Sequence, residues 1–337
     1  MHMADALVSA TVGGSMAAVS TGTLGYSLKV GAKRIEDRKI PLMGVMGAFV
    51  FSAQMINFTI PGTGSSGHIG GGILLAILLG PQAAFITIAS VLTIQALFFG
   101  DGGLLALGCN VFNMGFITCY VAYPLLVKPL LQRAISKRRI IAGSILGAVI
   151  GLQLGAFSVV LETQLSGITS LPFIDFVLLM QPIHLAIGLV EGVITAAVIC
   201  ALYDVRPELL STSGKEGKGL SFGKTILVIG TVAVIIGGVV SQVASSNPDG
   251  LEWAITKVTG SAELDSNEEI HDQAAKVQET TAILPDYNLK DSQSQGGTSI
   301  AGIVGVIITI GVVVATGTGM IAIRKRKRSA NVKGINE

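Results

Sequence analysis

The chain has 337 residues, of which 50% are hydrophobic and only 13% are charged, and its formal net charge is +2. Ordinary soluble domains carry roughly 25% charged residues, and the mean hydropathy here is +0.68. This composition excludes a typical soluble globular domain and indicates a chain that lies largely in lipid. The 43 glycines suit closely packed membrane helices.

Apolar runs of membrane length recur along the chain, which predicts an all-α fold, a polytopic membrane helix bundle. We expect about seven helices followed by a two-helix C-terminal module, with spans near 5–28, 40–58, 69–81, 83–99, 103–127, 140–161, 180–203, 222–244 and 300–323. Gly80 and Pro81 divide one long apolar stretch, so we expect the segment 69–81 to be tilted or broken.

The sequence divides at a polar linker, 211–220. We expect residues 1–210 to form one transmembrane domain. Residues 221–337 would form a second, with two membrane helices, a polar loop at 245–299 and a basic tail. That loop is acidic and has little apolar periodicity, so we expect it to be flexible or only locally folded. His271 within it is expected to be a solvated surface histidine.

Lysine and arginine clusters set the expected orientation. They lie at 29–39, 128–139, 206–224 and 324–328, and nine spans allow all four to be cytoplasmic. The N-terminus then faces outward, as do the loops at 57–69, 162–179 and 245–299. No basic n-region precedes the first span, and Asp5 lies near the start. We therefore expect no cleavable signal peptide.

His2 follows the start methionine, a position that gives it chemistry no internal histidine has. The Met1 amine, the His2 peptide nitrogen and the His2 imidazole can close a five-membered and then a six-membered chelate ring on one ion. Nickel(II) and copper(II) favour such a flat nitrogen field. Methionine aminopeptidases spare Met before a bulky residue, so we expect Met1 to be retained. The alternative is that His2 is simply part of a loose terminus.

A second histidine, His68, lies in the glycine-rich segment 57–72 on the same predicted side as His2. One imidazole would complete a flat site that already has three nitrogens. The Gly62-x-Gly64-x-x-Gly67 pattern in this segment resembles a dinucleotide fingerprint, but it lacks the strand–helix context which that motif needs. No P-loop sequence occurs, so we do not expect this chain to hydrolyse ATP.

Four further polar side chains are candidates to support the metal ligands. His184 and Glu191 lie seven residues apart, and so on one face of a helix. Ionisable groups in membrane spans are functional candidates. Gln54 and Asn57 lie near the outer end of their helix. For all four, the alternative is ordinary hydrogen bonding between helices.

Three stretches together carry a family resemblance: Met1-His2-Met3-Ala4-Asp5, Gly67-His68, and His184 to Glu191-Gly. They resemble the M component of nickel/cobalt energy-coupling-factor transporters. Pro-Asp-Gly-Leu-Glu at 248–252 is similar to the hallmark of the partner N component. Essentially the whole chain is thus identified as a natural fusion of M and N. The Pro-Asp-Gly or Glu-Gly element that often follows the family's start is replaced here by Ala4-Asp5-Ala6.

The resemblance implies a substrate-capture subunit of an ATP-driven importer of Ni²⁺, with Met1, His2 and His68 as the metal ligands. It also implies a transmembrane coupling subunit and cytoplasmic ATPases as partners, and a location in the cell membrane of a prokaryote. No prosthetic group is expected, because the metal is the cargo. Two alternatives remain: a cobalt importer serving cobalamin synthesis, and an independent secondary carrier. An enzyme is not expected, since no nucleophile–base spacing or HExxH sequence occurs.

Overall fold

The computed structural model describes residues 2–133, 135–210, 220–261, 264, 269–290 and 295–333, and its regular structure is almost entirely helical. The prediction of an all-α polytopic bundle is therefore confirmed. The chain begins with α1 (Ala10–Arg34), α2 (Ile40–Gln54), the strands β1 (Phe58–Ile60) and β2 (Ser65–Gly67), α3 (Gly72–Leu79) and α4 (Pro81–Ile94). It continues with α5 (Leu107–Asn110), a π-helical segment Val111–Val127, α6 (Lys128–Arg133), α7 (Lys137–Ser166) and α8 (Phe173–Val205). The remaining helices are α9 (Phe222–Gly238), α10 (Gly250–Thr259), α11 (Glu269–Thr281) and α12 (Gln295–Lys333).

Six helical segments within the described residues are long and apolar enough to cross a membrane: Pro81–Phe99, Leu107–Gln132, Lys137–Ser166, Phe173–Val205, Phe222–Val243 and Gly296–Arg326. The three expected spans nearest the N-terminus are not among them. Helix α1 is long enough, but its many small and polar residues lower its hydropathy. Helices α2 and α3 have only 15 and 8 residues, which agrees with the expectation that 69–81 is too short for a full crossing.

The short helices α2 and α3 form the centre of the bundle. Every residue of α3 is buried, and almost every residue of α2 is buried as well. A helix that is apolar on all sides must be covered by other helices or by lipid. Helices α4, α9 and α12 pack around α2 and supply that cover.

The C-terminal helices are integrated into this bundle. Helices α9 and α12 pack against α2 and against each other. At their crossing, a Cβ on Gly302 would collide with the Gly237 carbonyl oxygen. The two backbones approach this closely only because both positions are glycine, which is typical of membrane helix packing.

Two loop predictions are wrong. The predicted loop at 162–179 is shorter, because α7 ends at Ser166 and α8 begins at Phe173. The described parts of 245–299 are not the flexible or only locally folded loop that the sequence predicts, because they contain α10 and α11, which pack on the bundle. An Asp249–Glu252 capping box starts α10, and α11 docks on the bundle through Gln278, which donates to the carbonyls of Ala96 and Gly102 at 2.9 and 2.7 Å. The expected linker lies, from 211 to 219, outside the described residues.

Candidate metal-capture site

The chain segment that follows His2 is fixed to the π-helical end of the bundle by its backbone. The Met3 N–H donates to Asn110 Oδ1 at 2.7 Å, and the Met3 carbonyl accepts from Asn110 Nδ2 at 3.2 Å and from Gly103 N at 2.9 Å. The Met3 side chain is fully buried. Asp5 Oδ1 accepts from Ala106 N at 2.9 Å. The start of the chain is thus an ordered part of the fold from His2 onward.

Glycine at position 103 makes this docking possible. A Cβ on Gly103 would collide with the side chain and backbone of Asp5. The peptide of the loop can therefore lie directly against the N-terminal segment, and its N–H reaches the Met3 carbonyl. Any larger residue at this position would push the two segments apart.

His2 is held beside His68. The two imidazole rings stack with centroids 5.0 Å apart and planes 14° apart. His2 Nδ1 lies 3.1 Å from Asp101 Oδ1, and the other oxygen of that carboxylate accepts from the Tyr287 hydroxyl. His2 Nε2 is buried and has no hydrogen-bond partner in the described part of the chain. Met1 itself lies outside the described residues.

His68 follows an antiparallel hairpin in which Phe58 pairs with Gly67 and Ile60 with Ser65. Its Nδ1 lies 3.1 Å from the Ile69 carbonyl oxygen. A carbonyl can only accept, so Nδ1 carries the proton and Nε2 keeps its lone pair in the neutral ring. Asp249 Oδ2 lies 3.9 Å from that Nε2.

Both imidazoles are prepared to act as ligands by their environment. Burial, which makes the charged form costly, lowers the pKa of His2 and of His68 to about 3. Both rings are therefore neutral at pH 7. Neutral imidazole is the form that binds metal. No group of three His, Cys, Asp or Glu side chains with metal-binding geometry occurs in the described residues.

The glycine-rich backbone after His68 is held by two of the four supporting candidates. Glu191 accepts from Gly70 N at 2.7 Å and from Gly71 N at 3.0 Å, although it is itself completely buried. Gln54 Nε2 donates to the Gly70 carbonyl at 2.9 Å. These contacts fix the direction in which the chain leaves His68.

The other two candidates lie near the site but act less directly. His184 bonds through Nδ1 to the Met180 carbonyl at 2.8 Å. It lines, with His68 and Asp249, a cavity of about 10 Å³, which is the size of one water molecule. His184 lies about three turns into α8, because α8 begins at Phe173 and not near residue 180 as the sequence predicts. Asn57 accepts from Ser245 N through its backbone oxygen at 2.7 Å.

The Pro-Asp-Gly-Leu-Glu segment lies against the hairpin that precedes His68. Ser66 N and Oγ donate to the carbonyls of Pro248 and Asn247 at 2.8 and 2.7 Å. The Trp253 indole N–H donates to the Thr63 carbonyl at 3.0 Å. Asp249 Oδ1 caps α10, while its other oxygen faces His68. The C-terminal module thus forms one wall of the site.

The sequence does not predict the places of three residues at the site, which are Asn110, Asp101 and His271. Asn110 carries no motif signal, because its partner is 107 residues away in the chain. Asp101 follows an apolar span and carries no motif signal either, because its contact with His2 joins distant parts of the sequence. His271 was predicted to be a solvated histidine, and that prediction is wrong. It is 4% exposed, and its Nε2 lies 2.9 Å from the Val8 carbonyl oxygen, because α11 folds back onto the N-terminal segment.

The chain is a multi-pass helical membrane protein in which two neutral, buried histidines lie beside an anchored N-terminal segment. A family model described as "Cobalt uptake substrate-specific transmembrane region" matches residues 2–209, and one for the PDGLE domain matches 223–322. The chain belongs to this cobalt uptake family. It is a nickel/cobalt transport component of a metal transporter and not an enzyme.

Relatives with both parts of the chain are known. A protein of Archaeoglobus fulgidus, named as a fused nickel transport protein, is 32% identical and is aligned over 92% of this chain and 96% of its own. A cobalt transport protein of Geobacter sulfurreducens is 32% identical over 53% of this chain and 52% of its own. A crystal structure of a truncated transition metal transporter superposes with a TM-score of 0.53 at 32% identity, covering 60% of this chain and 98% of that one.

The contacts of Glu191 give a prediction about stability. Glu191→Ala leaves the buried N–H groups of Gly70 and Gly71 without an acceptor, at about 1–3 kcal/mol each. We expect the free energy of unfolding to fall by about 2 kcal/mol or more, measured by thermal unfolding in detergent. The matched control is Val193→Ala on the same helix, whose side chain is 58% exposed and whose effect should stay within about 0.5 kcal/mol. Equal melting temperatures for the two variants would contradict this role of Glu191.

Proposed function

We propose that this chain captures Ni²⁺ at its N-terminus for an ATP-driven importer of the energy-coupling-factor type. The ligands are the Met1 amine, the His2 amide nitrogen and imidazole, and the His68 imidazole. The observation that supports this most strongly is the stacking of the two neutral imidazoles, 5.0 Å apart, beside an N-terminal segment anchored at Met3.

The chelate geometry explains what binding does to the site. The six-membered ring of the chelate uses His2 Nδ1, which now contacts Asp101. The ion takes over that contact and remains close to the Asp101 carboxylate. Asp249, 3.9 Å from His68 Nε2, supplies a second negative charge nearby. Two carboxylates beside a divalent cation compensate charge that would otherwise be costly to bury.

Nickel is favoured over cobalt because a deprotonated amide in a flat nitrogen field suits nickel(II). Relatives of the chain carry both names, for nickel and for cobalt transport. Cobalt import therefore remains the alternative cargo. Gln54 and Glu191 position the backbone next to His68, and His184 and Asn57 support the same region.

The proposed organisation follows from the charge pattern. Residues 1–210 form the metal-binding domain, 211–220 a cytoplasmic linker, and 221–337 the second domain with its basic cytoplasmic tail. The N-terminus and the site face outward in the cell membrane, and the lysine and arginine clusters face the cytoplasm. A transmembrane coupling subunit and cytoplasmic ATPases supply the energy, since this sequence has no P-loop.

An extended N-terminus tests the chelate. Four alanines added before Met1 move the free amine away from the His2 amide and break the first chelate ring, so nickel affinity should fall strongly. A single alanine is unsuitable, because it would create a new chelate of one amine, two amide nitrogens and the His2 imidazole. Isothermal titration calorimetry on purified protein measures the affinity, and the control is the same four alanines added after Glu337. Unchanged affinity in the N-terminally extended chain would show that the amine is not a ligand.

The energy source separates the importer from a secondary carrier. We expect nickel uptake into cells that lack other nickel transporters to require co-expression of the coupling subunit and ATPases. An ATPase variant that cannot hydrolyse ATP should reduce uptake to the level of the empty vector. Full uptake by this chain with the inactive ATPase would favour the secondary carrier.

A further inference from the structure

A cavity of about 620 Å³ lies directly against His2 and His68. Its walls carry six carboxylates, from Asp5, Asp101, Asp249, Glu252, Asp272 and Asp286. Among the residues that the structure describes, no lysine or arginine lines it. The entrance to the two histidines is therefore strongly negative in formal charge.

Most of this charge comes from the C-terminal module. Asp249 and Glu252 begin α10, Asp272 lies on α11, and Asp286 follows α11. The position of α11 is fixed by long-range contacts, from His271 to Val8 and from Gln278 to Ala96 and Gly102. The acidic side chains are thus held over the site by the fold and are not part of a loose acidic loop.

Two buried side chains on the cavity wall give a second observation, independent of the carboxylates. Gln54 and His271 both line the cavity, and each is only 4% exposed. Gln54 Oε1 and His271 Nδ1 have no hydrogen-bond partner in the described residues. The Val8 carbonyl oxygen can only accept, so His271 Nε2 carries the proton of that contact, and Nδ1 is the ring nitrogen without a partner among the described residues. Buried acceptors without donors are rare, and the water shell of a hydrated cation supplies such donors.

We propose that this cavity is an acidic vestibule that gathers hydrated divalent cations and delivers them to the histidines. Its volume of about 620 Å³, against about 10 Å³ for the cavity beside His184, leaves room for an ion with its first hydration shell. A cleft with walls of one sign focuses the electric field and raises association rates by about 10- to 1000-fold. The carboxylates distant from the histidines thus determine how fast ions are captured, whereas the nitrogens determine how tightly. The inference rests on the proposed function, because it takes His2 and His68 as the destination.

The test neutralises two exposed carboxylates of the vestibule, one on α11 and one that follows it. Asp272→Asn and Asp286→Asn keep the side-chain shape, and asparagine tolerates the positive φ of 49° at position 286. Nickel association with the purified full chain, with its native N-terminus, is followed by stopped flow with a nickel-responsive dye. For the double variant we expect an association rate constant about three- to tenfold lower at low ionic strength. The dissociation rate should be unchanged, and the difference should vanish in about 1 M salt.

Glu279→Gln is the matched control. It removes the same charge from an exposed site on α11 but does not line the cavity, so it should leave the association rate unchanged. Equal association rates for the wild type and the double variant would overturn the vestibule. Faster dissociation with unchanged association would also overturn it, because the carboxylates would then be ligands.

A second variant keeps the two proposals separable. His68→Ala removes a proposed ligand, so it should accelerate dissociation and leave the salt dependence of association intact. If dissociation is unaffected in this variant, His68 is not a ligand and the proposed capture site is wrong. The vestibule is still tested by the association rate of the Asp272→Asn/Asp286→Asn double variant.

Discussion

The two hydrogen bonds between the Asn110 side chain and the Met3 backbone are the constraint on which the candidate site depends. A free chain terminus loses about 1–2 kcal/mol of backbone entropy for each residue that is ordered, so a site built from terminal nitrogens needs an anchor. Here the anchor is a pair of hydrogen bonds to one amide side chain, a third from Gly103, and a Met3 side chain that is fully buried. His2 is thereby held next to His68 before any ion arrives, which lowers the entropic cost of binding.

The C-terminal module completes the candidate site that the first half of the chain begins. The hairpin that leads to His68 is bonded to residues 247–253 on one side, and the backbone after His68 is bonded to Glu191 and Gln54 on the other. Tyr287 donates to the carboxylate that contacts His2. The C-terminal module thus reaches both histidines, and its acidic residues form most of the charged wall above them. Fusion of the two parts in one chain keeps this wall beside the site.

The sequence predicts the local features of this structure well and its long-range features poorly. Apolar runs predict the membrane helices, because burial in lipid requires them. The position of His2 after Met1 and the glycines around His68 indicate a nitrogen site, and the structure stacks these two rings, although their role as ligands remains a proposal. By contrast, the inward position of His271 and the pairing of Asp101 with His2 depend on contacts between distant segments. The apolar runs at 40–58 and 69–81 predict spans, but they do not predict that α2 and α3 lie in the centre of the bundle with other helices around them.

X-ray absorption spectroscopy at the nickel edge, on the purified chain with its native N-terminus, tests the central claim most directly. The account predicts four nitrogen donors in a flat arrangement, with the outer-shell scattering of two imidazoles. A six-coordinate site dominated by oxygen, or one with a single imidazole, would contradict it, because the ion would then be bound without the N-terminal chelate or without His68.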